Sequence, residues 1–163
     1  MLVGEQPGDQ EDLAGRVFVG PAGQLLNRAL AQAGLNRKSL YVTNAVRHFK
    51  FELRGKRRIH KTPAQREVDA CNHFLTEEIE LLKPVLIVAL GATAAKALLK
   101  RSVKISEERG RVLGFGRAKL LITAHPSAIL RLAEKEADIA FTQFVTDLGL
   151  VQSYQSPAKS APA

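Results

Sequence analysis

Hydrophobic positions along this chain alternate between short continuous runs and helical stripes. Met1-Leu2-Val3 reads as the end of a buried strand running into Gly4-Glu5-Gln6-Pro7-Gly8, and 40–46 reads as a second strand. Residues 84–90 are apolar throughout, as expected of a strand covered on both faces. Two more strands, 111–113 and 120–123, flank a Gly114-Phe115-Gly116 turn. Between the runs, Leu25, Leu26, Ala29, Leu30 and Ala33 share one helical face over 22–33, and Gly34 caps it. Thr62-Pro63-Ala64-Gln65 predicts the next helix start, with Thr62 as N-cap, Pro63 in the first position and Gln65 closing a capping box. Pro84 ends that helix, and 92–100 and 137–148 supply the last two. A loop through Gly15 and Gly20-Pro21 is predicted between the first turn and the helix over 22–33.

Strands alternating with helices predict an α/β fold with three layers, α/β/α, and a mainly parallel central sheet of about four strands. One domain is expected over 1–150, followed by a disordered tail over 151–163 that is small, polar and Pro-containing. The first strand is short for its class, which suggests an N-terminally truncated domain. In such sheets ligands lie beyond the carboxyl ends of the strands. Three polar segments follow strands here: 4–9, Asn44 with the residues after it, and His125-Pro126-Ser127. They are expected to meet on one rim.

Charge sharpens the picture. The chain carries a net +8, and the segment 47–66 alone carries +7, eight Lys/Arg against the single acid Glu52. Lys56-Arg57-Arg58-Ile59-His60-Lys61 sets one histidine among cations, which disfavour its protonated form and leave it available as a nucleophile or base. A polyanion is the expected partner, although a charge run by itself is more often a solvated face. No apolar run approaches the ~20 residues that span a membrane, so no membrane partner is expected. The single cysteine, Cys71, leaves no internal disulfide and fits a reducing, cytoplasmic setting.

Each rim residue alone has a bland reading. Gly4–Asp9 fits a strand-to-loop turn, though its glycines also permit close approach to a ligand. Asn44 fits a turn residue or a reader of a base edge, and Phe18 a core aromatic or a platform for a flat ring. His125 fits a satisfied structural histidine.

In order along the chain, Gly4-Glu5-Gln6-Pro7-Gly8, Phe18-Val19-Gly20-Pro21-Ala22-Gly23, Thr43-Asn44 and His125-Pro126-Ser127 resemble the motifs of the uracil-DNA glycosylase superfamily, closest to family 4. Gln6 together with the basic loop that ends at His60 resembles the UdgX type, whose members become covalently attached to uracil-containing DNA. The resemblance implies excision of uracil after the nucleotide is flipped out, with single strands preferred because less stacking is lost. It implies that Phe18 stacks on uracil and Asn44 reads its edge, while Gly4, Pro7 and Gly8 approach base and sugar. His125 would stabilise charge on the departing base. His60 would attack C1′ and stay bonded, helped by Glu5, Gln6 or Asp9. Ser127, Ile129 and Leu130 would contact the strand and fill the vacated stack, and Lys56, Arg57, Arg58 and Lys61 would bind phosphates. A monomer is expected.

The family also implies a four-iron, four-sulfur cluster. Here Cys71 matches one ligand and His48 stands where family 4 has a cysteine. That set is incomplete in this chain, so assembly of the cluster is not expected. Two rival readings are a conventional, turning-over family 4 glycosylase and a non-catalytic nucleic-acid-binding remnant.

Overall fold

The computed structural model describes residues 1–154. Among these residues the strands and α-helices follow in the order β1 (Leu2–Gly4), α1 (Asp9–Ala14), α2 (Pro21–Gln32), β2 (Val42–Asn44), β3 (Phe51–Arg54), β4 (Arg57–His60), α3 (Gln65–Leu82), β5 (Leu86–Leu90), α4 (Ala92–Leu99), α5 (Ile105–Glu108), β6 (Val112–Phe115), β7 (Ala118–Thr123), α6 (Pro126–Ile129) and α7 (Glu134–Gly149). The central sheet has five strands in the order β2-β1-β5-β7-β6. All its pairings are parallel except β6 with β7, a hairpin at the edge.

Side chains of the sheet divide between two apolar layers. Leu2, Val88, Leu90 and Leu121 pack with Leu26 and Leu30 of α2 and Phe144 and Leu148 of α7. Val3, Ile87, Leu120 and Ile122 pack on the other face with Cys71 and Leu75 of α3 and Leu98 of α4. The predicted three-layer α/β/α architecture is therefore observed, with five strands in place of about four. Among the described residues no helix is long and apolar enough to cross a membrane.

Four local expectations change. Asp9–Ala14 is a helix, with Glu11 accepting from the Gly8 amide and Gly15 closing it in the left-handed region. α3 begins at Gln65 with Ala64 as N-cap: Glu67 accepts from the Ala64 amide, so the box sits two residues beyond Thr62. The basic segment is a β-hairpin, with Phe51 opposite His60 and Arg54 opposite Arg57. The expected tail opens with a 3-10 turn, Leu150–Tyr154, where Val151 is buried and the Gln152 amide donates to the Ala33 carbonyl. Residues 155–163 lie outside the described residues.

Candidate active site

The sites converge because β1, β2, β5 and β7 run parallel and end on one rim. Gly4 ends β1 opposite Asn44 at the end of β2. A Cβ on Gly4 would stand 2.4 Å from Asn44 Oδ1 and 2.6 Å from Phe18 Cζ, so only glycine lets these two side chains meet there. Phe18 itself takes φ +55°, a left-handed backbone that costs a bulky residue strain and clusters at functional sites. Gly23 makes this possible, since a Cβ there would collide with the Phe18 carbonyl at 1.9 Å. The Glu11 carboxylate ties the turn down by accepting from the amides of Gly8 (3.2 Å) and Gly20 (2.7 Å).

The result is an open cavity of about 360 Å³ whose wall includes Phe18, Asn44, His60, His125, Ser127 and Leu130. Gln6, Gly8 and Asp9 reach it as well. Asn44 Oδ1 is buried there with no hydrogen-bond partner among the described residues. A buried polar atom left unpaired is costly, and a ligand donor aimed at it would remove that cost.

His125 follows β7. The Ser127 backbone amide donates to its Nδ1 at 3.2 Å, and the Ser127 hydroxyl lies 2.8 Å from the same nitrogen. An amide can only donate, so Nδ1 holds the lone pair and the neutral ring carries its proton on Nε2. Burial, opposed by the Glu5 charge and assisted by Arg131, lowers the His125 pKa to about 4. Because the folded value lies below the usual ~6.5 of the unfolded chain, the unfolded state binds more protons between them. Folding stability contributed by this site is thus present above pH ~6.5 and is lost as pH falls toward 4. Chemical denaturation of wild type and His125→Gln across that window checks the sign: the difference between them should grow in favour of the variant as pH drops.

Glu5 lies behind the cavity. Its Oε1 is 3.4 Å from His60 Nε2, and its Oε2 accepts from the Thr93 hydroxyl. Burial alone would push the Glu5 carboxyl up. Hydrogen bonds from His60 and Thr93, with the fields of His125 and His60, outweigh burial and hold it below the usual carboxylate range.

His60 is the last residue of β4, and three contacts hold its hairpin over the rim. The Gln6 amide donates to the carbonyls of Lys61 (3.0 Å) and Lys50 (3.4 Å) and accepts from the Lys50 amide. Arg58 forms ion pairs with Asp9 and Asp12. Its guanidinium also stacks over Phe49 and Phe51.

These contacts revise several expected roles. Gln6 and Asp9, expected to position His60 or to steady the cation, line the cavity and also bind the hairpin that carries His60. Arg58 is occupied by two carboxylates and Lys61 by Glu52, which leaves Lys56 and Arg57 exposed at the hairpin tip. Ile129 is 3% exposed and belongs to the core, whereas its neighbour Leu130 is 49% exposed at the cavity mouth. Alternating burial along a short helical turn separates the two. Glu11, Thr93 and Arg131 escaped the sequence reading. Glu11 had a signal, a capping glutamate three residues after Gly8. Thr93 had none, since its partner Glu5 lies 88 residues away, whereas Arg131 acts locally, on Ser127 four residues before it, but belongs to no motif.

His48 and Cys71 do come together, with Nδ1 3.8 Å from Sγ, Cys71 buried in the layer between α3 and the sheet and His48 exposed. Among the described residues, no group of three or more His, Cys, Asp or Glu is placed to hold a metal. A four-iron cluster needs four ligands, so the residues present do not fit one.

The sequence is similar to those of known glycosylases. The chain is 41% identical over 140 residues to a type-4 uracil-DNA glycosylase of Pyrobaculum aerophilum, covering 80% of this chain and 67% of that protein. It is 39% identical over 138 residues to a type-4 uracil-DNA glycosylase of Thermotoga maritima, covering 83% and 68% respectively. A type-5 uracil-DNA glycosylase of Pyrobaculum aerophilum is 30% identical over 146 residues, with 79% and 61% covered. The model of the uracil DNA glycosylase superfamily matches residues 1–149, which take in the Gly4–Asp9 turn, Phe18, Asn44, the hairpin and His125 alike, and the chain accordingly belongs to that superfamily.

Proposed function

We propose that this protein excises uracil from DNA and captures the resulting sugar on His60. The single observation that carries the capture step is the placement of His60, which lines the same cavity as Phe18, Asn44 and His125 while facing Glu5 at 3.4 Å. Phe18 offers a stacking face, and the orphaned Asn44 Oδ1 accepts a donor from the base edge. As the glycosidic bond breaks, its electron pair leaves with uracil, and the Nε2–H of neutral His125 stabilises the anion. The sugar becomes oxocarbenium-like at C1′, a cation that the Glu5 carboxylate opposes. A ring-nitrogen lone pair of His60 then bonds to C1′. The positive charge passes to the alkylated imidazole, still beside Glu5, and the uracil anion takes a proton from water.

Leu130 fills the gap left in the stack, and single strands are preferred because less stacking is lost. The protein acts as a monomer and, with one cysteine in this chain, the cluster of its family is not assembled from these residues alone; iron and sulfide analysis tests that point.

The test is a labelled uracil-containing single strand run on a denaturing gel beside a thymine control. A uracil-dependent band that survives heat and detergent supports excision with capture. Abasic strands accumulating over many turnovers without that band would replace it with an ordinary glycosylase, the activity named for the type-4 relatives. Binding of both strands with no base released would leave a non-catalytic module.

Lys56 and Arg57 should contribute phosphate contacts that carry no sequence information. Replacing both with Gln should weaken uracil and thymine strands equally and reduce the slope of log K against log salt by roughly 1–2. A salt titration of binding reads this directly.

A further inference from the structure

We propose that Thr93 is a positioning residue for this reaction: its hydroxyl fixes the Glu5 carboxylate in the orientation that faces His60 and the sugar. The inference rests on the roles of Glu5 and His60 given above and extends them to a residue that touches neither base nor sugar.

Glu5 and Thr93 come from distant parts of the chain, 88 residues apart, and meet where β1 and β5 end. The two carboxylate oxygens have different partners, Oε2 taking the Thr93 hydroxyl and Oε1 facing His60 Nε2. The last torsion of a glutamate is broad and roughly two-fold, so an unheld carboxylate samples many settings. One donor fixed on Oε2 removes that freedom and leaves Oε1 toward the imidazole. Thr93 is the second residue of α4, whose sequence Ala-Thr-Ala-Ala-Lys-Ala-Leu-Leu is otherwise free of hydroxyls. A β-branched residue is a poorer helix former than the alanines around it, so local propensity does not account for threonine there. Among the described residues, the hydrogen bond its hydroxyl makes goes to Glu5.

Placement supports an indirect role. Thr93 lines a second cavity of about 500 Å³, with Glu5, His60, His125 and Arg131 on its walls, and does not reach the cavity that holds Phe18 and Asn44. The start of α4 adds a favourable field for the ionised carboxylate.

Single-turnover reactions of Thr93→Val, Thr93→Ala and Thr93→Ser, followed across the acidic limb of the pH profile, test the proposal. Adduct and free uracil are measured in each reaction. Val and Ala should slow the reaction about tenfold or more, the usual worth of a hydrogen bond to a charged group. They should also move the acid limb to higher pH, because the ionised Glu5 has lost a donor. Ser should restore both rate and limb. A general packing defect would slow the reaction at every pH without moving the limb and would not be rescued by Ser. That result, or variants matching wild type, would overturn the assignment. If wild type releases uracil without adduct, the capture reading fails, while the limb shift in uracil release still decides the role of Thr93.

Discussion

Replacing His60 with Ser is expected to abolish the heat-stable adduct while uracil release continues and abasic strand accumulates. This is the largest expected effect, because it changes the product rather than a rate. His60 is 39% exposed on its hairpin and close enough to Glu5 for the pair to face the same cation. Once the imidazole is gone, its volume admits water and the cation at C1′ is hydrolysed instead. The hairpin should survive the change. Its fixed points are Gln6 on the Lys50 and Lys61 backbone and Arg58 on Asp9 and Asp12, none of which involves the His60 side chain. A denaturing gel with an alkali step separates the outcomes: a uracil-dependent, alkali-labile strand is expected. A persisting adduct in His60→Ser would remove His60 from the role of nucleophile.

Replacing His125 with Ala should slow uracil excision by about 10²–10³-fold, the effect of removing one preorganised donor to a developing oxyanion. The geometry explains why so much rests on this ring. The Ser127 amide fixes the tautomer, leaving the proton on Nε2, and a pKa of about 4 keeps the ring neutral at physiological pH. A neutral donor stabilises the departing base without giving up its proton or repelling the cationic sugar. Substrate binding should change little, because Phe18 and Asn44 remain. Single-turnover uracil release against binding of the same strand reads the two effects separately. A variant within about tenfold of wild type would exclude His125 as the main donor.

Much of the architecture was legible in the chain. The apolar run at 84–90 and the stripe from Leu25 to Leu30 report burial directly, since a strand covered on both faces and a helix with one buried face each leave a periodic trace. The rule that ligands lie beyond strand ends was enough to bring Gly4, Asn44 and His125 to one rim. Helix starts were less legible. Thr62-Pro63 satisfied the local signature, yet Glu67 reaches Ala64 while Lys50 pairs with that same glutamate from the hairpin base. A tertiary ion pair thereby anchors the box two residues later.

Arg58 and Gln6 show where sequence reading stops. A cation in a basic run and an amide in a glycine turn predict a phosphate contact and a substrate contact. The fold places Asp9 and Asp12 beside the one and the hairpin backbone around the other. Partners 44 to 55 residues away leave no periodic trace, so no window of sequence contains them.

The sequence by itself determined the layers, the parallel sheet, the rim on which the chemistry-bearing residues gather, and the kind of site they make. Those features follow from hydrophobic period, turn chemistry and ordered motifs, all of them local. Only the tertiary structure decided which residues face the cavity and which support it. Ile129 went to the core and Leu130 to the mouth, Gln6 and Arg58 went to the hairpin, and Thr93 went to Glu5. Those assignments depend on side-chain direction and on pairing between distant segments, which are fixed only when the whole chain has packed.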